Sequence, residues 1–351
     1  MKNLALFALT ATLIVSCKNE PKDYVTLSGK ITNVNEHKKI IIQNREGYKK
    51  EIKVNDDGTF SDTLKVVEGS YFFSDGNESG NIYLKNDNVT SFTLDTKEFD
   101  ETLKFEGDAA ETNNYFVANT LLQEKYLNED LFDKDVEGFD KVFDDLRSAY
   151  ADLKAANAAM VDSTILADDE KTIDAMYNGY KKYHQGKIAM RKEFPKGSPS
   201  PIFENYENYK GGTTSLSDLK GKYVYVDVWA TWCGPCKREI PSLKEVEAKY
   251  HDKNIEFVSI SVDNGRGYKA DDKEAAFAAS KEGWKKMVAE KELGGIQLFS
   301  DKAWESDFVK NYKISGIPRF ILIDPDGNIV SPDAPRPSSP KLIELFDSLS
   351  I

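Results

Sequence analysis

The part of the sequence that most restricts the possible folds is WATWCGPCKREIP, residues 229–241. It separates an apolar run at 223–228 from a stretch with helical periodicity that extends to about residue 250. Cys233 therefore stands where a helix begins, and free backbone N–H groups and the helix dipole favour a negatively charged sulfur there. Cys236 follows one helical turn later. The pattern predicts a strand, a cysteine pair and a helix in direct succession.

This spacing indicates thiol-disulfide exchange, in which the thiolate is the reactive species. We expect Cys233 to attack a substrate disulfide and Cys236 to displace the substrate from the resulting mixed disulfide. Gly234 allows the backbone of a partner to come close, and Pro235 costs no hydrogen bond in the first helical turn. Trp232 and the Gly-Pro dipeptide indicate an exposed loop, not two inert buried cysteines.

A structural zinc site is another use of two such cysteines. The chain has three cysteines in all, so no second pair can complete a four-sulfur site, and neither His184 nor His251 has ligand spacing to the motif. We therefore expect no metal and no organic cofactor.

The segment PKGSPSP, residues 195–201, marks the start of a domain, because three prolines and a glycine exclude both a helix and a central strand. The elements predicted after it are, in order, a strand at 223–228, a helix to about 250, a strand at 255–262, a helix near 272–291, a short helix around 304–312, strands at 319–323 and 328–330, and a helix that opens at Ser339. This order predicts an α/β fold for residues 195–351.

Two further regions precede this domain. From 24 to 107 apolar and polar residues alternate between turns, which predicts six to eight short antiparallel strands in a small sandwich or open barrel. Between 108 and 194 apolar residues recur at three- and four-residue steps, which predicts amphipathic helices. The expected fold class is multidomain: an N-terminal all-β domain, a helical middle segment and a C-terminal α/β domain.

The N-terminus has the pattern of a secretion signal. Lys2 supplies a positive charge, and the apolar run 4–15 is too short for a membrane span of about 20 residues. IVSC at 14–17 resembles a bacterial lipobox, in which a peptidase cuts before the cysteine and lipid is attached to its sulfur; ordinary secretion with an unpaired thiol is the alternative. We predict a signal peptide at 1–16, a lipid on Cys17 and a tether at 17–23, with the protein on a membrane and facing the periplasm or the cell exterior.

The net charge of −12 limits the partners. With 59 acidic against 47 basic residues, the chain repels nucleic acid and anionic lipid headgroups. We therefore expect no nucleic-acid partner.

Residues 229–236 resemble the active site of the thioredoxin superfamily. CKREIP at 236–241 resembles, more narrowly, the membrane-tethered TlpA/ResA-like thiol-disulfide oxidoreductases of bacterial envelopes. The likeness extends from about residue 198 to the C-terminus and, more weakly, to the β-rich and helical regions before it. It implies a thioredoxin-like fold, disulfide-containing protein substrates, and electrons from a membrane or periplasmic thiol donor.

The resemblance also implies roles for single residues. Asp227 falls where thioredoxins carry a buried carboxylate that relays protons to the second cysteine, and Glu239 matches an acidic residue beside the disulfide. Ile317 and Pro318 match a loop whose cis proline packs against the disulfide and pairs with the substrate backbone. The residues expected to contact substrate are Trp232, Gly234, Pro235, Ile317 and Pro318.

One departure concerns the buried carboxylate. Ser259 stands about where cytosolic thioredoxins have a lysine opposite it, which leaves the charge of Asp227 open. Asp227 could instead cap the end of a strand, and Glu239 could be a helix residue favoured by the dipole alone.

These features together predict an envelope thiol-disulfide oxidoreductase that reduces protein disulfides. Negative charge on Asp227 and Glu239 near the sulfurs would oppose a thiolate and favour the disulfide form, which makes the pair a reductant. One alternative is a thiol peroxidase of the peroxiredoxin type, but the Pro-x-x-x-Thr/Ser-x-x-Cys loop it needs is missing before Cys233. A second alternative is a ligand-binding lipoprotein in which the thioredoxin-like part is a scaffold.

Overall fold

The computed structural model of the chain describes residues 20–351, so the predicted signal peptide and Cys17 lie outside the described residues. The chain divides into two compact units, with the boundary after Lys181. None of the described helices combines the length and the hydropathy needed to cross a lipid bilayer.

The first unit begins with eight strands and one short helix. They are β1 (Val25–Thr32), β2 (Lys39–Gln43), β3 (Lys49–Lys53), β4 (Thr59–Leu64), β5 (Gly69–Ser74), β6 (Ser79–Leu84), β7 (Val89–Asp95), α1 (Phe99–Thr102) and β8 (Lys104–Gly107). Two four-stranded sheets form, in the orders β4-β1-β7-β8 and β3-β2-β5-β6. The inward side chains of both sheets share one hydrophobic core, in which Phe73 contacts the ring of Phe92. The predicted β-rich region is present as two packed sheets.

One strand pairing differs from the prediction. β1 and β7 run parallel, whereas all the other pairs of this unit are antiparallel. Between β1 and β7 the chain passes to the other sheet twice, for β2 and β3 and again for β5 and β6. So long a connection permits parallel pairing, which a two-residue hairpin does not. The expectation of purely antiparallel strands is therefore wrong at this pair.

Three helices follow, as the change of period predicts. They are α2 (Ala110–Tyr126), α3 (Val136–Asn157) and α4 (Ser163–Glu193). Asp135 caps α3 by accepting a hydrogen bond from the backbone N–H of Gly138 at 2.8 Å. The apolar stripe of α3 is buried through Phe139, Phe143 and Leu146. The part of α4 from residue 182 onward belongs to the second unit.

The second unit is built on a seven-stranded sheet with the order β10-β9-β13-β12-β11-β14-β15. Its elements are β9 (Tyr206–Asn208), β10 (Thr213–Thr214), β11 (Tyr223–Trp229), α5 (Gly234–Tyr250), β12 (Ile255–Ser261), α6 (Lys273–Glu290), β13 (Ile296–Phe299), α7 (Asp307–Asn311), β14 (Arg319–Ile323), β15 (Ile329–Ser331) and α8 (Pro340–Ser348). Seven of these match predicted elements within a few residues, and α7 is shorter than expected. The sequence interpretation missed β9, β10 and β13.

Helices cover both faces of this sheet. Alternate residues of β11 point to opposite faces: Val226 packs in the cluster that contains Trp284 of α6, and Tyr225 packs in the cluster that contains Leu243 of α5 and Phe346 of α8. Asp227 stands two residues after Tyr225 and therefore faces α5. The C-terminal end of this central strand leads directly into the cysteine motif.

Candidate active site

Cys233 is the N-cap residue of α5, as the sequence predicts. Its Sγ accepts a hydrogen bond from the backbone N–H of Cys236 at 3.2 Å, and Pro235 occupies the first turn of the helix. The Sγ atoms of Cys233 and Cys236 form a disulfide bond with a length of 2.04 Å. A thiolate on Cys233 would stand at the positive end of the helix dipole, beside an N–H group already directed at it.

The two sulfurs are less exposed than the sequence suggests. Cys233 and Cys236 are each 4% exposed and belong to the hydrophobic cluster under the sheet end, whereas Pro235 is exposed and Trp232 is partly buried. The expectation of an exposed loop is therefore correct for Pro235 and wrong for the cysteines, while Trp232 and Gly234 are partly buried. Both cysteines belong to the core because they directly follow the buried end of β11. A partner must place its disulfide directly on this small surface.

The predicted loop with a cis proline lies next to the motif. The Ile317–Pro318 peptide bond is cis, as predicted, and Ile317 packs against the cluster that contains both cysteines. Arg319, the first residue of β14, pairs with Val228 near the end of β11. The loop leads into β14 and the cysteine motif follows β11. Because these neighbouring strands are antiparallel, the loop and the motif lie at the same end of the strands.

Asp227 lies inside β11 and faces a small cavity that Cys236 also lines. Its Oδ1 has almost no contact with solvent and no hydrogen-bond partner among residues 20–351, so this oxygen caps nothing. Burial raises the pKa of Asp227 to about 8, with smaller contributions from the negative charges of Glu239 and Glu247. A carboxyl group with such a pKa beside the second cysteine can accept and return a proton near neutral pH.

Glu239 lies in α5 one turn beyond Cys236, and its carboxylate contacts the loop that precedes α8. The carboxylate accepts hydrogen bonds from the backbone N–H and the Oγ of Ser338, both at 3.1 Å. Its Oε1 lies 3.7 Å from a guanidinium nitrogen of Arg336. The side chain is buried, so the negative charge is held in place by these three groups.

Asp263 is a site residue that the sequence interpretation missed. Its fully buried carboxylate accepts hydrogen bonds from the backbone N–H of Thr231 at 3.0 Å, from the Oγ of Thr231 at 2.7 Å and from the Oγ of Ser261 at 2.7 Å. Burial raises the pKa of Asp263, and the donors from Thr231 and Ser261 act in the opposite direction. Asp263 thereby anchors Thr231, two residues before Cys233, to Ser261 at the end of β12.

Two further contacts strengthen this attachment. The backbone N–H of Val262 donates to the carbonyl of Trp229 at 2.9 Å, and the guanidinium of Arg266 lies 4.4 Å from the ring centroid of Trp232. The only hint in the sequence was the polar ending of an apolar strand, SVD at 261–263.

Glu247 is the second missed residue. It lies on α5, lines the same cavity as Asp227 and Cys236, and has its pKa raised to about 7 by burial, although the charges of Lys244 and Lys210 act in the opposite direction. In the sequence it looks like one of many helix-surface acids. Two carboxyl groups with near-neutral pKa values therefore border one cavity at the second cysteine.

Comparisons with known proteins agree with this site. The Redoxin family model matches residues 195–340, which include the disulfide. The thiol-disulfide oxidoreductase ResA of a Bacillus cereus strain is 30% identical over 147 residues, which are 42% of this chain and 74% of the relative. ResA of Bacillus subtilis (strain 168) is 27% identical over 154 residues, 43% of this chain and 74% of the relative.

A solved structure also resembles the chain. It is the crystal structure of the thioredoxin domain of a thiol-disulfide oxidoreductase from Bacteroides vulgatus, and the two sequences are 29% identical. The match covers 44% of this chain and 98% of the solved chain, with a TM-score of 0.36. On the extent and identity of the match to the Bacillus cereus relative, the chain belongs to the ResA family of thiol-disulfide oxidoreductases.

Proposed function

We propose that this thiol-disulfide oxidoreductase is a lipoprotein of the bacterial envelope that reduces disulfides in other proteins. The observation that carries the proposal is the position of Cys233, which caps α5 beside the cis-proline loop while Cys236 borders the cavity of Asp227. The substrate would contact Trp232, Gly234, Pro235, Ile317 and Pro318, all of them beside the disulfide in the chain or at the same sheet edge.

The exchange proceeds in two displacements. The Cys233 thiolate attacks one sulfur of the substrate disulfide, so that a mixed disulfide forms and the first substrate sulfur leaves as a thiolate, which takes a proton. Sγ of Cys236 then attacks Sγ of Cys233, and the second substrate sulfur leaves as a thiolate. The Cys236 proton passes to Asp227 in its ionised form, whose share grows as the pH rises toward the Asp227 pKa of about 8. Substrate has gained two electrons, and the protein carries the Cys233–Cys236 disulfide until a membrane or periplasmic thiol donor reduces it.

The charges at the site favour the reducing direction. Glu239 holds a buried negative charge one turn from Cys236, and Gly234 and Pro235 offer no side-chain donor to a thiolate. Asp227 contributes less than the sequence suggests, because a pKa of about 8 leaves it mostly neutral at pH 7. Arg238 and Arg266 favour the thiolate, but both are exposed, so water and salt screen them.

We expect a reduction potential nearer to that of thioredoxin, about −270 mV, than to that of the oxidant DsbA, about −120 mV. The purified chain is equilibrated with dithiothreitol or glutathione buffers, and the redox state of the cysteines is read by alkylation. Reduction of insulin disulfides by the pure protein tests the activity directly. A midpoint close to that of DsbA would make the protein a disulfide-forming enzyme, and absence of insulin reduction would favour the ligand-binding alternative.

The proposed membrane anchor rests on Cys17 and the lipobox before it. We expect the native protein to partition with membranes, and a Cys17→Ala form to be released from them because it lacks the attachment site. Mass spectrometry of the mature N-terminus measures the lipid, with Cys236→Ala as a control that leaves the anchor in place. A free Cys17 thiol in the mature protein would refute the anchor.

A further inference from the structure

A row of polar side chains crosses the sheet beneath α5. Asp227, Ser259 and Gln297 occupy paired positions on three adjacent strands, β11, β12 and β13. All three line the cavity that Cys236 and Glu247 also line. The volume of this cavity, about 10 Å³, is close to the lower limit for one water molecule.

Two buried acceptors in this row have no hydrogen-bond partner among residues 20–351: Oδ1 of Asp227 and Oε1 of Gln297. Gln297 is 4% exposed, and its Nε2 donates to the carbonyl of Gly294 at 2.8 Å, which orients the amide. Buried acceptors without a protein partner are normally satisfied by a water, and a buried water needs two to four polar neighbours. Asp227, Gln297 and Ser259 supply them.

Two glycines give Glu247 access to the cavity. A Cβ atom at Gly294 would lie 2.3 Å from Oε2 of Glu247, and one at Gly295 would lie 3.0 Å from Oε1. Any larger residue at 294 would push the carboxylate away. Glu247 itself is only partly buried, so it connects the cavity with solvent.

We propose that Glu247 is the outer end of a proton path that begins at Cys236. As Sγ of Cys236 bonds to Sγ of Cys233 and the substrate thiolate leaves, the Cys236 proton moves to Asp227, then through a water held by Ser259 and Gln297 to Glu247, and from there to solvent. When the disulfide is reduced, the proton moves inward along the same groups. The inference rests on the roles proposed above for Cys236 and Asp227.

The acid strengths of the two carboxyl groups suit such a transfer. Burial raises the pKa of Asp227 to about 8 and that of Glu247 to about 7, so a proton moves between them at little cost. The titratable groups that face Asp227 are Cys236, Glu239 and Tyr225. The charged groups that face Glu247 are Lys244 and Lys210, and Lys244 is in turn paired with Glu292.

The test separates the two displacements in the full chain. Reduced protein is mixed with a peptide disulfide from about pH 6 to about pH 9, which spans both pKa values. Acid quench and alkylation give the rates of mixed-disulfide formation and of Cys233–Cys236 closure, at several imidazole concentrations. The variants are Glu247→Gln, which removes the carboxylate, and Gly294→Ala, which keeps the charge and displaces it. Glu245→Gln, an exposed acid of the same helix, is the matched control.

We expect Glu247→Gln and Gly294→Ala to slow closure about tenfold at low buffer concentration, with imidazole restoring the rate and mixed-disulfide formation unchanged. Glu245→Gln should behave as wild type. Closure in Glu247→Gln as fast as in Glu245→Gln would overturn the path, and slow closure that imidazole does not restore would assign Glu247 a structural role instead. If the wild-type chain forms no mixed disulfide, the proposed function itself is wrong, which the first displacement shows independently of Glu247.

Discussion

Replacement of Cys233 by serine is expected to lower disulfide exchange by at least about a thousandfold, because a serine hydroxyl is not ionised near neutral pH and cannot replace the thiolate. Cys236→Ser is expected to have a different outcome. Its Cys233 still attacks, but no second thiol displaces the substrate, so mixed disulfides accumulate. The measurement is insulin reduction for both variants, with mixed disulfides detected on non-reducing gels.

The two variants control for each other, since each removes one sulfur and the disulfide of the oxidised protein. Cys236→Ser used in cells would retain its natural partners covalently, and their identification would name the substrate. Equal residual activity in Cys233→Ser and Cys236→Ser would contradict the assignment of attack to one cysteine and displacement to the other.

Asp227→Asn is expected to slow the Cys236 displacement about a hundredfold and to stabilise the fold at alkaline pH. The first effect follows because an amide cannot accept the proton of Cys236. The second follows from the pKa of Asp227, which is about 8 in the folded chain against 3.8 for an unperturbed aspartate. Between these values the folded state holds one proton more than the unfolded state, so the free energy of unfolding falls as the pH rises through this window.

Removing the ionisable group removes this penalty. Since one pKa unit corresponds to about 1.4 kcal/mol, the gain above about pH 8 is at most about 6 kcal/mol and vanishes below about pH 4. Thermal unfolding of the wild type and the variant at about pH 5 and about pH 9 measures the difference. Asp252→Asn, an exposed aspartate just after α5, is the control. A stability difference that does not grow with pH would show that Asp227 is not a buried acid.

The local elements around the cysteines could be predicted because their signals are local. The change from an apolar run to helical periodicity at Cys233 predicted the helix start, and the structure places the N-cap there. The cis bond before Pro318 was predicted from the resemblance of Ile317 and Pro318 to a cis-proline loop. Strand β13 was missed, because four residues after two glycines are too short for periodicity to separate a buried strand from any other apolar run.

The sequence by itself determined the chemistry of this protein, since two cysteines one turn apart at a helix start permit thiolate attack and displacement within one segment. Only the tertiary structure decided which distant side chains serve that pair. Asp263 and Glu247 look like ordinary acids in the sequence, and they become site residues because sheet pairing brings Asp263 under Thr231 and because Gly294 leaves room for the carboxylate of Glu247. Burial and the distance to other charges then set their pKa values. Neither burial nor these distances can be read from the residues next to them in the sequence.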